Sequence, residues 1–145
     1  MMSPSRLARE LEARLDGPHA DEHTSGAATL ASESVRFLNY ATGSHAGQGL
    51  EFPSTVYDVL GSLSEAACRL PQLLTQMTAW LDRANAAGLL GMDDRTSPGD
   101  AIAASAVCLE EAGALARHLG EELATAQARI SRLNGRGPAR DGGAR

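Results

Sequence analysis

Lysine is absent from this chain: all 13 basic side chains are arginine. That points to codon usage in a GC-rich genome and carries no functional information. Aromatic residues are scarce, with two Phe, two Tyr and one Trp in 145 residues, so β-strands lack their preferred side chains. Alanine and leucine abound instead, and a helical class is the natural expectation. No apolar run is long enough to cross a bilayer; the longest apolar or small stretch, residues 101 to 109, is far too short. The first residues intersperse Arg6, Arg9, Glu10, Glu12 and Arg14, with no apolar segment of the kind a secretion signal needs, so a cytoplasmic location is expected. Only two cysteines occur, Cys68 and Cys108. They lie in separate predicted helices, and the expected arrangement is two buried free thiols, with neither a disulfide nor a metal site.

What the chain does have is a seven-residue apolar repeat from Pro53 to Leu133. Val56, Leu60, Leu63, Ala67, Leu70, Leu74, Met77, Leu81 and Ala84 alternate at spacings of four and three. Further on, Ile102, Leu109, Ala116, Leu123 and Ile130 fill one position of each heptad. Ser105, Ala112, Leu119, Ala126 and Leu133 fill the other, with Ser105 the only polar residue. No charge enters either seam.

Between the halves, Gly91 to Asp100 is rich in residues that end and begin helices. Gly91 suits the left-handed residue past a helix end, Ser97 an N-cap, Pro98 the first helical turn, and Asp100 the unsatisfied amides beyond it. The pattern predicts two helices of about 35 residues, each roughly 50 Å long. Joined by a short connector, they fold back antiparallel, with Trp80 roughly opposite Cys108. Pro71 interrupts the first helix without shifting its register, so a kink is expected there rather than a break. The predicted fold is an all-α helical bundle built on a long antiparallel coiled-coil-like hairpin, its first long helix kinked at a proline.

Three regions follow along the chain. Residues 1–31 read as a short helix, opened by Ser3-Pro4 with Leu7, Leu11 and Leu15 on one face and closed by Gly17-Pro18, followed by a polar linker from residue 19. Residues 32–134 read as the bundle domain, beginning with a short helix from Ser32 to Thr42. Residues 135–145 read as a disordered basic tail: from Arg129 onward five arginines face one acid, a charge of +4, whereas residues 1–128 carry eight arginines against 17 acids, a charge of −9.

Candidate chemistry is thin. His19 and His23 sit four apart, as two imidazoles on one helix face would, but helix-breaking residues flank them and a solvated linker is the simpler account. The glycines at 43, 47 and 49 lack the strand and the lysine of a phosphate loop. No histidine neighbours either cysteine in sequence, and Glu110-Glu111 and Glu121-Glu122 lie around a helix surface. No metal or cofactor is therefore expected, nor catalysis.

The informative feature is surplus apolar surface. A two-stranded seam should be polar beside its core, yet one flank holds Val59, Leu73, Trp80, Cys108 and Leu115. On the other flank Gly99, Ala106, Gly113 and Gly120 recur every seven residues, a smooth strip that another backbone could approach. Either the shorter helices cover these faces or a partner does. The expected role is a non-catalytic protein-interaction or oligomerisation module, binding a second copy or another helical protein through Leu73, Trp80, Gly113, Leu115 and Gly120. The alternative is an accessory nucleic-acid factor using Arg129, Arg132, Arg136, Arg140 and Arg145, disfavoured because the body is acidic and no aromatics interleave the arginines. No membrane contact is expected.

The stretches Leu38-Asn39-Tyr40-Ala41-Thr42, Glu51 to Gly61 and Arg69 to Leu74 resemble small uncharacterised helical proteins of actinomycete bacteria. The resemblance covers residues 32 to 134 and brings no known activity. It implies that Pro71 and the Phe52-Pro53 entry are features of that group.

Overall fold

The computed structural model describes residues 19–43 and 49–135, and every regular element among them is a helix: α1 (Asp21–Thr42), α2 (Pro53–Ala86) and α3 (Gly99–Ile130). They fall into two units divided between Gly49 and Leu50, the first holding α1 and the second α2 and α3. The all-α class expected from the sequence is the observed one, and its organising element is the hairpin of α2 and α3.

α1 begins at Asp21 rather than Ser32, so the expected linker from residue 19 is mostly helix. Its polar residues carry their own compensation: the hydroxyls of Thr24, Ser25, Thr29 and Ser34 each donate to a carbonyl three or four residues back. Ala27, Ala28 and Ala31 supply helix propensity, and Asp21 and Glu22 sit where amides are unpaired. No residue of α1 is buried.

α2 starts at Pro53, whose fixed φ and missing amide hydrogen suit the first turn. It continues through Pro71 to Ala86 as one helix, so Pro71 does not break it. The C-terminus forms at Gly88, not Gly91. Gly88 adopts φ +68°, its amide donates to Asn85 O, and the Leu89 amide reaches back to Ala84 O at 3.0 Å. The reason lies in the repeat itself, because the apolar position after Ala84 would fall on Gly88, and the seam ends there. In the connector the Asp94 carboxylate accepts from the amide and hydroxyl of Thr96, at 3.0 and 2.7 Å, and Arg95 takes φ +63°. Pro98 has helical dihedrals and the Ser97 hydroxyl accepts the Gly99 amide at 3.4 Å, the expected capping roles, although regular helix is counted from Gly99.

Three pairs fix the antiparallel register. The Gln127 amide donates to Tyr57 O at 3.0 Å, the Ser64 hydroxyl donates to Gly120 O at 2.8 Å, and Gly113 lies against Pro71. Continued at the same offset, this register sets Trp80 level with Ala104, one turn from Cys108.

The same pairs show how the helices face each other. Of the two rows expected in the seam of α3, the one through Ile102, Leu109, Ala116 and Leu123 turns inward; of the other, only Ser105 and Ala126 stay half-buried. Gly113 and Gly120 are buried, whereas Ala112, Leu119 and Leu133 are exposed. α2 rotates in the same sense, bringing Ser64, Pro71 and Thr78 toward α3 and leaving Leu70 and Met77 exposed. The glycine strip is thus interior to the hairpin, correcting the expectation that it waits for another chain. Small side chains let two backbones approach closely, and Pro71 packs against Gly113, where even an added Cβ would stand at ordinary contact distance.

Candidate interaction surface

Close approach limits what the hairpin can bury. The buried apolar residues are Ala67, Ala84, Ile102 and Ala116, and among the described residues no large side chain is fully enclosed. At about 25 cal/mol per Å² of apolar surface removed from water, such a core is thin for its length. Several large apolar side chains lie outside it: Leu73 is 48 % exposed, Trp80 56 %, Leu119 52 % and Leu115 69 %.

These residues share one side of the hairpin. In α3 they lie three and six places beyond the inward row of Leu109 and Ala116, and in α2 six places beyond Ala67 and Leu74, on the edge away from the glycines. Two antiparallel helices meeting through one pair of edges present their other edges together. Leu70, Leu73, Met77 and Trp80 of α2 therefore stand beside Cys108, Ala112, Leu115 and Leu119 of α3. Along this side the central positions carry no charge. Its borders are charged, with Arg69 paired to Glu65 one turn before it on α2, and Glu111 and Glu122 on α3.

Of the five residues expected to form an interaction surface, Leu73, Trp80 and Leu115 lie together on this side, while Gly113 and Gly120 serve the contact between α2 and α3. Sequence periodicity missed Leu119 as a surface residue by assigning it to the core. The available signal was the glycine strip, since a row of small residues permits tighter packing than a row of leucines.

Elsewhere the surface is plain. Cys68 and Cys108 are free thiols, both exposed rather than buried as expected; Cys68 lies beside Gly120, on the edge opposite Cys108. His19 precedes α1 and His23 falls in its first turn, so they do not share a helix face. Among the described residues no group of three or more His, Cys, Asp and Glu is placed to hold a metal ion. His118 points outward with Glu121 4.0 Å away, and Glu110, Glu111, Glu121 and Glu122 are exposed. Arg129 and Arg132 are exposed at the end of α3, whereas Arg136, Arg140 and Arg145, the short helix at Leu7, Leu11 and Leu15 and most of the glycine loop lie outside the described residues. At the open end of the hairpin, Leu50, Phe52, Val56, Ile130 and Leu133 wall an apolar recess of about 350 Å³. No helix among the described residues is long and apolar enough to cross a membrane. The Thr96 hydroxyl, and then its amide, lower the pKa of the Asp94 carboxyl.

No family model, curated protein or solved structure matches the chain.

Proposed function

We propose that this protein is a non-catalytic interaction module of the cytoplasm, whose apolar side docks against helices of a protein partner. One observation carries the proposal: Leu73, Trp80, Leu115 and Leu119 are exposed together on one uncharged side, while the buried positions of the hairpin are alanine, glycine and one isoleucine. A contiguous exposed apolar side of this kind marks a binding surface, and covering it recovers hydrophobic stabilisation that the thin interior does not supply. Two unpaired thiols agree with a reducing compartment.

A photo-crosslinking residue at position 115, introduced in the protein's own cells, tests this. It should form adducts of discrete mass, and the same residue at position 118, on an outward face of α3, should form none. Absence of an adduct at 115, or equal labelling at both positions, refutes the docking surface.

A further inference from the structure

Building on that docking surface, we infer that its occupant is a second copy of this chain, related by a two-fold axis parallel to the hairpin, so that α2 of each copy packs on α3 of the other. The first support is steric. In the half nearest the connector, α2 contributes the large Leu70, Leu73, Met77 and Trp80, and at the same level α3 contributes the small Ala101, Ala104, Cys108 and Ala112. In the other half Leu115 and Leu119 of α3 stand level with Arg69 and Glu65 of α2, beside Leu70 and Leu63. Rotation about an axis along the hairpin preserves level and exchanges helices, so Leu73, Met77 and Trp80 of each copy meet the small Ala112, Cys108 and Ala104 of the other, and the two Leu70–Leu115 pairs close the middle.

The second support is charge. That rotation brings Arg69, together with the Glu65 it pairs in its own chain, to the α3 border of the second copy, with Arg69 about one helical turn from Glu111 and about two from Glu122. A two-fold axis across the helices would instead set Arg69 near its own copy and Glu111 near its own, which like-charge repulsion disfavours. The third is extent. From Val59 to Ala84 the side runs roughly 40 Å, and two helices make it about 20 Å wide, hence ~800 Å² per copy, the size of an ordinary stable interface.

Sedimentation equilibrium of the purified full chain tests the inference. The expected species is a two-chain assembly that dissociates on dilution, with Cys108 protected from thiol reagents at high concentration and Cys68 reactive throughout. Leu115→Glu should weaken the dimer by more than about tenfold with helical content unchanged, since position 115 is exposed in the single hairpin. Arg69→Glu should weaken it about two- to fivefold, and adding Glu111→Arg with Glu122→Arg should restore it. A single-chain mass at every concentration overturns the second copy, as does a dimer in which Cys108 stays reactive or the charge exchange restores nothing. A single-chain mass together with crosslinked adducts of another protein at position 115 removes the second copy and leaves the docking surface standing; no adducts removes both.

Discussion

Adding one methyl group at Gly120 and one at Gly113 should give opposite results, although both replace a buried glycine in the same helix. Each Gly→Ala change gains about 1 kcal/mol of helix propensity. At Gly113 the new Cβ would meet Pro71 Cα at 3.6 Å and Cβ at 3.7 Å, ordinary contact distances, so the gain is kept. At Gly120 the new Cβ would fall 2.5 Å from Cys68 Sγ and 3.2 Å from Ser64 O, and the second of these is backbone. Relieving that overlap requires the helices to separate or the cysteine to rotate, a packing penalty of about 1–3 kcal/mol that cancels or exceeds the gain. Gly113→Ala should therefore raise stability by ~1 kcal/mol and Gly120→Ala should lower it by up to ~2 kcal/mol. With Cys68→Ala in the background, the Gly120→Ala penalty should shrink by ~1 kcal/mol or more, a coupling readable from a double-mutant cycle in urea. Equal effects at the two glycines, or no coupling to Cys68, would refute packing through the glycine row.

Other consequences follow from the same geometry. Gly88→Ala should cost about 1–2 kcal/mol in thermal or urea unfolding, because φ +68° penalises any Cβ, whereas Gly91→Ala, with open space around it, should be near neutral. Pro71→Ala should stabilise the chain by up to about 3 kcal/mol by restoring an amide donor to α2, and a loss of stability would show that the proline is needed for the fit against Gly113. The Asp94 carboxyl should titrate below the ordinary aspartate range by NMR and move back toward it in Thr96→Val, which removes the hydroxyl donor and keeps the amide. Because its pKa is lowered on folding, its contribution to the connector is present above the unfolded value, about 3.9, and is lost as pH falls through the folded one.

Most of the hairpin was legible in the sequence because periodicity, Pro53, Ser97 and the connector composition all agree on where helices run. The seam was half legible. Hydrophobicity alone places Leu119 and Leu70 inside, but it ranks glycine low and takes no account of how closely two backbones can approach. Gly113 opposite Pro71, and Gly120 opposite Ser64, decide the facing; each is a contact between positions far apart in sequence. The start of α1 was missed for a different reason. Thr24, Ser25 and Thr29 look like linker residues by type, and only their hydrogen bonds to the preceding turn reconcile them with a helix. The exposed apolar side was legible at Leu73, Trp80 and Leu115 because they flank the predicted seam rather than lie in it.

The claim on which the rest depends is that α2 and α3 meet along the glycine row and turn Leu70, Leu115 and Leu119 outward. Nuclear Overhauser contacts within a single labelled chain measure it directly. Gly120 α-protons should lie close to Ser64 and Cys68, and Gly113 α-protons close to Pro71. Contacts from Leu119 to Leu63 and from Ala112 to Leu70 in their place, with none at the glycines, would contradict the account.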